Sequence, residues 1–176
     1  VTDPNPRRRL ALMAARFYPE QPATTVAITG TNGKTSVANF VQQLWTLLGQ
    51  RAAALGTLGV VAPGWQPGPG LTTPGPVKLH ESLAALKQDN IDFLAFEASS
   101  HGLDQYRLDG VRIAAAAITN ITRDHLDYHR TMAAYRAAKL RLFDELIVDG
   151  GLAVVDADSD LFKDVAAIAQ RRKLHL

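Results

Sequence analysis

Apolar residues along the chain alternate between short continuous runs and longer stretches with helical spacing. Three runs predict buried strands, at Thr24–Thr29, Ile91–Phe96 and Ile113–Thr119. Two weaker runs, Leu55–Ala62 and Leu152–Val155, predict further strands. Continuous apolar strands that alternate with helices are typical of a mostly parallel, doubly wound α/β sheet with both faces covered.

Helical spacing predicts helices over residues 7–18, 34–48, 77–88, 131–147 and 159–170. Pro19 and Pro22 end the first helix, and Gly49 is the expected C-cap of the second. Residues 63–70 are rich in Pro and Gly and predict a loop. No strand is expected after the last helix.

Two of these helices carry apolar stripes that we expect to face the sheet. The stripe of the first helix contains Leu10, Met13, Ala14 and Phe17. The stripe of the second contains Val37, Phe40, Val41, Leu44, Leu47 and Leu48.

The composition is that of an ordinary globular domain. The chain has 176 residues, of which 47% are apolar and 20% charged, which is enough for one domain and too few for two. It contains no cysteine, so disulfides and thiolate metal sites are excluded, and we expect a cytoplasmic location. A net charge of +2, with basic clusters only at residues 7–9 and 171–173, argues against a nucleic-acid surface. The longest apolar run, Ile113–Ile118, is too short for membrane insertion.

A glycine-rich segment lies between the first predicted strand and the second helix. Residues 29–36 read Thr-Gly-Thr-Asn-Gly-Lys-Thr-Ser. Glycines let backbone N–H groups face phosphate oxygens, and the following helix adds its positive N-terminal end. Lys34 is placed to reach terminal phosphates, and the hydroxyl of Thr35 to bind Mg²⁺. The common pattern places its first glycine at position 28, which is Ile28 here, so this loop is a tighter variant. The alternative is a turn that only caps the helix.

Two further residues with useful chemistry follow the next predicted strands. Glu97 comes directly after Ile91–Phe96, and His125 comes a few residues after Ile113–Thr119. Ligands of open parallel sheets bind beyond the carboxyl ends of the strands, so both side chains suit a metal or phosphate site. The alternatives are a solvated or capping carboxylate and a structural histidine.

Lys139 interrupts the apolar stripe of the fourth predicted helix. That stripe contains Met132, Tyr135, Leu142, Phe143 and Leu146. Periodicity leaves two interpretations of the lysine open. Either its stem is buried with the amine in water, or the whole side chain is desolvated, with a low pKa and a neutral, modifiable amine.

Four segments together resemble the Mur ligases and their folylpolyglutamate synthetase relatives. These segments are residues 30–35, 97–103, 120–127 and 135–139, and their order and spacing match the central domain of that family. The family consists of ATP-dependent amide-forming ligases that pass through an acyl phosphate. The resemblance therefore implies ATP and Mg²⁺ as cofactors.

The resemblance also implies roles for individual residues. It implies ATP contacts by Gly30, Thr31, Asn32, Gly33, Lys34, Thr35 and Ser36. It implies Mg²⁺ ligands at Thr35, Glu97, His125 and Lys139, the last as a carbamate formed with CO₂. Lys34, His125 and Lys139 are the implied catalytic residues.

Residues 99–107 are similar to the Ser-Ser-His-Gly-Leu-x-Gln-x-Arg stretch of the tripeptide-forming branch of the family, and residues 71–74 to its threonine pair. The resemblance implies that Thr72, Thr73, Ser99, Gln105 and Arg107 contact UDP-MurNAc-dipeptide, to which the branch adds diaminopimelate or lysine. Hydroxyl and guanidinium donors suit a diphosphate and carboxylates. Taken singly, a turn before Pro74 is the better interpretation of the threonine pair, and a surface ion pair that of Arg107, but together with the neighbouring motifs they are not.

The resemblance predicts how the chain is organised. We expect residues 1–22 to be a linker and lead-in helix from a missing N-terminal domain, and residues 23–176 to be an incomplete central ATP-binding domain. A C-terminal domain that binds the incoming amino acid is also missing, so the chain alone is expected to be inactive. The implied role is in peptidoglycan synthesis, and through it in cell shape and division. Alternatives are another Mur ligase, a folylpolyglutamate synthetase, or a non-catalytic ATP-binding module.

Overall fold

The computed structural model describes residues 2–66, 68 and 70–176. Its strands are β1 (Thr24–Thr29), β2 (Ala52–Gly56), β3 (Gly59–Val61), β4 (Phe93–Glu97), β5 (Ile113–Ile118) and β6 (Ile147–Val155). They form one sheet in the order β3-β2-β4-β1-β5-β6, in which only the β2–β3 pair is antiparallel. The predicted fold class, a mostly parallel α/β sheet, is confirmed.

Helices cover both faces of this sheet. They are α1 (Pro6–Phe17), α2 (Lys34–Leu47), α3 (Pro76–Gln88), α4 (Ser100–Asp104), α5 (Leu126–His129), α6 (Met132–Arg141) and α7 (Phe162–Arg172). Helix α2 packs against β1, β2 and β4 on one face. Helices α3 and α7 contribute to the larger core on the other face. None of the helices that the structure describes has the length and hydropathy needed to span a bilayer.

The predicted strand Leu55–Ala62 is wrong, because the chain folds back within it. Strand β2 begins earlier, at Ala52, and a tight turn at Thr57 and Leu58 reverses the chain into β3, with Gly56 paired to Gly59. An apolar run broken by two glycines three residues apart therefore forms a hairpin. Within the predicted loop 63–70, the described residues form no helix or strand, and Pro67 and Pro69 lie outside the described residues.

The predicted helix 131–147 ends early. Helix α6 stops at Arg141, a single π-helical turn follows at Leu142–Leu146, and β6 starts at Ile147 rather than at Leu152. Strand β6 pairs with β5 at Ile147 and again from Leu152 onward, with an irregularity between the two points. The apolar stretch predicted as one long helix thus changes to strand at Ile147.

The end of the chain also differs from the prediction. The last helix covers Phe162–Arg172 instead of 159–170. After it, the N–H of His175 donates a hydrogen bond of 2.9 Å to the Gly151 carbonyl, and the carbonyl of His175 accepts one of 2.7 Å from Ala153. His175 therefore forms a parallel bridge beside β6, where no further strand was expected.

The predicted apolar stripes of α1 and α2 face the core only in part. In α1 the buried residues are Ala11 and Ala14, and in α2 only Ala38 is fully buried. Val37 and Val41 of the predicted α2 stripe, together with Trp45, are partly buried against Ile28 and Ala95. The other large side chains of the two stripes are exposed, and they are Leu10, Met13, Phe17, Phe40, Leu44, Leu47 and Leu48. Helix α1 approaches its neighbours through alanines, which allow the closest packing.

A buried ion pair joins three helices near the site. Asp109, only 2% exposed, accepts two hydrogen bonds of 2.7 and 2.8 Å from Arg141 at the end of α6. It also accepts one of 2.9 Å from Arg8 on α1. Arg141 in turn donates to the Leu103 carbonyl on α4 at 2.8 Å. The position of α6 is therefore fixed against α1 and α4.

We expect Thr131→Ala to lower the free energy of unfolding by about 1 kcal/mol, because Thr131 caps α6. Its hydroxyl oxygen accepts a hydrogen bond of 3.1 Å from the N–H of Ala134. Urea denaturation measures the loss, and Thr131→Ser, which keeps the cap, is the matched control. Equal losses in the two variants would show that the cap is not the cause.

Candidate functional site

The glycine-rich loop lies at the carboxyl end of β1, the centre of the sheet. Gly30 has a φ of +137°, and a Cβ atom at this position would overlap the hydroxyl of Thr119. Only glycine fits this conformation next to β5. Helix α2 begins at Lys34, so its N-terminal N–H groups face the space above the loop. This is the predicted phosphate-binding arrangement.

The loop is held by the segment that follows β5. The N–H of Thr31 donates to the Asn120 carbonyl at 2.8 Å, and the N–H of Asn32 donates to the Asn120 side chain at 3.0 Å. Thr119 donates to the Asn32 carbonyl at 2.6 Å. The hydroxyl of Thr31 lies 3.1 Å from that of Tyr135 on α6. The loop conformation is therefore built before any ligand arrives.

Two lysines donate to the same carbonyl of this loop. Nζ of Lys34 lies 3.0 Å from the Gly30 oxygen and 2.9 Å from the Thr31 oxygen. Nζ of Lys139, on α6, lies 2.8 Å from the Gly30 oxygen. Two of the three residues that the resemblance implies to be catalytic, Lys34 and Lys139, thus meet at one atom.

Lys139 is desolvated. Its residue is 1% exposed, and its ammonium group lies 4.5 Å from the ring centre of Tyr135. Burial, and secondly the charge of Lys34, lower the pKa of Lys139 to about 7. The interpretation with the amine in water is therefore wrong, and the predicted desolvation of the side chain is confirmed, whereas modification of the amine stays a prediction. An amine with this pKa is substantially neutral at neutral pH.

Glu97 is the last residue of β4 and is 2% exposed. Its carboxylate accepts a hydrogen bond of 2.8 Å from the N–H of Thr57, in the β2–β3 turn, and lies 3.5 Å from the Thr57 hydroxyl. A Cβ atom on Gly56 would overlap this carboxylate, so glycine is required there. Thr57 was missed in the sequence, where only the Gly-Thr-Leu-Gly spacing of a tight turn pointed to it.

The residues predicted to contact UDP-MurNAc-dipeptide form one connected group. The hydroxyl of Thr73, 1% exposed, donates to the Glu97 carbonyl at 2.8 Å and accepts from the N–H of Ser99 at 2.9 Å. Arg107 donates to the Thr73 carbonyl at 2.7 Å and to the side-chain oxygen of Gln105 at 3.1 and 2.6 Å. Arg107 is therefore not the surface ion pair considered above.

Thr72 and Thr73 have different environments. Thr73 uses its hydroxyl within the protein, whereas the Thr72 hydroxyl lies 3.1 Å from the exposed hydroxyl of Thr57. Of the pair, Thr72 is the one with the more accessible side chain.

His125 lies in a cluster of aromatic rings beside the cavity. It precedes the short helix α5, has a φ of +50° and has a side chain 45% exposed. Its ring centre lies 4.9 Å from that of His101 on α4. Burial lowers the pKa of His101 and of His129, so both imidazoles favour the neutral form. Neither α4 nor α5 was predicted.

One cavity of about 300 Å³ joins most of these groups. It is lined by Lys34, Leu71, Thr72, Thr73, Ser99, Ser100, His101, Arg107, His125 and Lys139. Glu97 and Gln105 do not line the cavity, although each bonds to a residue that does. Thr35, the second residue of α2, does not line it either. The lining is rich in cationic and hydroxyl donors, a composition that suits several anionic groups at once.

The donor set fits Mg²⁺ in part. Burial lowers the pKa of Lys34, and the nearby Glu97 carboxylate opposes this lowering. One carboxylate and one hydroxyl, with phosphate oxygens and water, make a usual Mg²⁺ site. Within the described residues, no three His, Asp or Glu side chains come together as metal ligands. A second site at His125 and Lys139 therefore fits only if the lysine becomes anionic.

Comparisons with known proteins agree with this geometry. Residues 28–176 match the family model described as the Mur ligase middle domain. The chain is 55% identical over 172 residues to the UDP-N-acetylmuramoyl-L-alanyl-D-glutamate–2,6-diaminopimelate ligase of Bradyrhizobium diazoefficiens, covering 98% of this chain and 36% of the relative. It is 56% identical over 171 residues to the ligase of that name from Agrobacterium fabrum, covering 97% and 34%. The chain thus spans about a third of these relatives.

Solved structures show the same fold. A UDP-N-acetylmuramoyl-L-alanyl-D-glutamate–2,6-diaminopimelate ligase superposes with a TM-score of 0.84 at 33% identity, over 97% of this chain and 35% of that one. The folylpolyglutamate synthase of Mycobacterium tuberculosis, solved with ADP and AMPPCP, gives 0.74 at 22% identity, over 98% and 46%. The second likeness concerns the fold alone.

Proposed function

Because the chain belongs to the Mur ligase middle-domain family, we propose that it is the central, ATP-binding part of a peptidoglycan-precursor ligase. The proposed ligase joins 2,6-diaminopimelate to UDP-MurNAc-L-Ala-D-Glu, the reaction that the names of its relatives describe. Residues 1–22 are the proposed lead-in from an N-terminal domain, and residues 23–176 belong to the central domain. The proposed location is the cytoplasm, where ATP and UDP-sugars are available.

One observation carries this proposal: a single cavity is lined both by Lys34, which follows the glycine-rich loop, and by the donors of Arg107, Thr72 and Ser99. We call these donors the anion-binding wall, because guanidinium and hydroxyl groups suit anionic ligands. The Thr72 hydroxyl lies 3.1 Å from that of Thr57 in the hairpin turn. A ligand carboxylate held by Arg107 would face the terminal phosphate of ATP held above Gly30–Thr35. This arrangement favours phosphoryl transfer between two bound anions, because it aligns them before they react.

The reaction then proceeds in two balanced steps. The substrate carboxylate attacks the terminal phosphorus of ATP, which gives an acyl phosphate and ADP. The neutral amine of diaminopimelate attacks the acyl carbon, the bond between that carbon and the phosphate oxygen breaks, and the proton that the amine loses leaves with the phosphate as the amide forms. Lys34 offsets the charge that builds on the transferred group, and the hydroxyl and guanidinium donors hold the carboxylate in place.

Mg²⁺ at Glu97 and Thr35 would supply further positive charge to the phosphates. As an ammonium, Lys139 would repel a cation near His125. As a carbamate it would attract one, and its pKa of about 7 makes the amine available for reaction with CO₂. We therefore assign Lys139 the carbamate role.

A complete ligase that contains this chain tests the proposed function. With ATP, UDP-MurNAc-L-Ala-D-Glu and 2,6-diaminopimelate, we expect a tripeptide product and one ADP for each product formed, measured by liquid chromatography and mass spectrometry. Lysine in place of diaminopimelate is the matched control for the amino acid. ADP release that does not depend on the muramyl substrate would contradict the proposal.

Residues 1–176 alone are expected to fold without forming product. Formation of the acyl phosphate and its aminolysis need carboxylate, ATP and amine aligned together, and the proposed amine-binding surface lies outside this chain. The same assay with the isolated chain, at concentrations at which the complete ligase gives product, measures this. Tripeptide formed by the isolated chain would show that these residues already hold all three substrates.

A further inference from the structure

The side chain of Tyr128 connects two short helices of the candidate site. Tyr128 lies on α5, three residues after His125, and its hydroxyl donates a hydrogen bond of 2.7 Å to the carboxylate of Asp104. The same hydroxyl accepts one of 3.1 Å from the side-chain amide of Gln105. Both partners lie at the end of α4. One phenol thus holds α5 against α4.

The hydrogen bonds continue from Gln105 to the anion-binding wall. The side-chain nitrogen of Gln105 donates to the Tyr128 hydroxyl. Its side-chain oxygen accepts two hydrogen bonds, of 3.1 and 2.6 Å, from the guanidinium of Arg107. Arg107 is fixed on its other side by the Thr73 carbonyl. Neither Tyr128 nor Gln105 lines the cavity, whereas Arg107 does. The phenol therefore acts on the cavity only through the residues it holds.

The ring of Tyr128 is fixed as well as its hydroxyl. Its centre lies 4.2 Å from that of His101 and 4.8 Å from that of His129. These distances are typical of packed aromatic pairs. A phenylalanine would keep the packing and lose both hydrogen bonds, so the two contributions can be separated.

We propose that Tyr128 is a positioning residue that directs Arg107, through Gln105, toward the anionic part of the substrate. The identity of that substrate rests on the proposed function. A phenol suits this role because it donates and accepts a hydrogen bond at once. No local pattern indicates a role for Tyr128, since its partners lie more than 20 positions away.

Tyr128→Phe in a complete ligase that contains this chain tests the proposal. We expect the KM for UDP-MurNAc-L-Ala-D-Glu to rise about tenfold, the usual effect of one lost hydrogen bond that orients a charged group. The KM for ATP should stay unchanged, and the melting temperature should fall by no more than a few degrees, because the lost hydrogen bonds are partly exposed. Calorimetric binding of the muramyl substrate without ATP should weaken by the same factor.

Tyr106→Phe is the matched control. It removes the same atom from a ring next to Gln105, and in the described part of the chain that hydroxyl makes no hydrogen bond, while its ring stays over Arg141. An unchanged muramyl KM in Tyr128→Phe would overturn the proposal. So would equal rises in both KM values together with a lower melting temperature, which indicate a general structural role.

A further measurement separates this proposal from the proposed function. In the 176-residue chain without substrates, hydrogen exchange of the Gln105 side-chain amide, followed by NMR, should be faster in Tyr128→Phe than in Tyr106→Phe. Equal exchange in the two variants would overturn the positioning role. Failure of the proposed function would appear elsewhere, as absence of product with the unaltered complete ligase.

Discussion

Lys34→Ala in a complete ligase that contains this chain is expected to lower the ligation rate by a factor of about a hundred to a thousand. That is the usual loss when one charged or hydrogen-bonding group that faces the developing charge is removed. Among the described residues, the Lys34 ammonium bonds only to carbonyls of its own loop, so the helices and strands do not depend on it. Steady-state ligation kinetics measure the loss, and circular dichroism confirms the fold.

Lys78→Ala is the control for Lys34→Ala, because Lys78 is exposed on α3 and pairs only with Glu81. Its rate should be that of the unaltered enzyme. Near-normal turnover in a folded Lys34→Ala protein would exclude the phosphate-binding role. The same variant should raise the pKa of Lys139, since the charge of Lys34 is one of its two lowering causes.

Lys139→Ala in the complete ligase should lose most of its activity, and formate should restore part of it. Formate is a small carboxylate that can occupy the position of the proposed carbamate. Lys139→Arg should remain inactive, because a guanidinium keeps the positive charge and does not form a carbamate. Ligation rates with and without formate measure both effects. Labelled bicarbonate should also give a carbamate signal in the carbon NMR spectrum of the unaltered enzyme.

The pKa of Lys139 makes this chemistry available near neutral pH. At its ordinary value of 10.5, only roughly one lysine in three thousand is neutral at pH 7, whereas a pKa of about 7 leaves about half of the amines neutral. Lys163→Ala, at an exposed position of α7, is the control and should behave like the unaltered enzyme. Substantial activity in Lys139→Arg would exclude the carbamate role.

The phosphate loop and the central strands could be predicted because their signals are local. The apolar run of β1 and the loop that follows it are contiguous, and the structure places both as predicted. The position of Lys139 followed from helical spacing alone. Spacing left two interpretations open, because burial depends on contacts far away in the sequence, such as that of Lys139 with Gly30, 109 positions away. The 1% exposure of Lys139 decides between them.

The remaining features depend on contacts that no local pattern contains. The turn at Thr57 is fixed by Glu97, and α6 ends at Arg141, which bonds to Asp109. The predicted stripe of α2 was right only in part, because apolar residues surround most of that helix and spacing does not indicate which of them meet the sheet. Val37 and Val41 pack against the core, whereas Phe40, Leu44, Leu47 and Leu48 are exposed.

The carbonyl of Gly30 would compete with a bound phosphate for the ammonium group of Lys34. Lys34 already has two oxygen ligands, from Gly30 and Thr31, so an incoming phosphate must replace bonds of similar geometry rather than add new ones. The affinity for nucleotide then depends on the difference in free energy between the bonds of Lys34 to phosphate and the bonds to the two carbonyls that they replace. Lys139 donates to the same Gly30 oxygen. Chemical change at the Lys139 amine therefore alters the strength of the hydrogen bond between that oxygen and Lys34. Under the proposed function, a change at the Lys139 amine therefore alters nucleotide affinity through the Gly30 carbonyl.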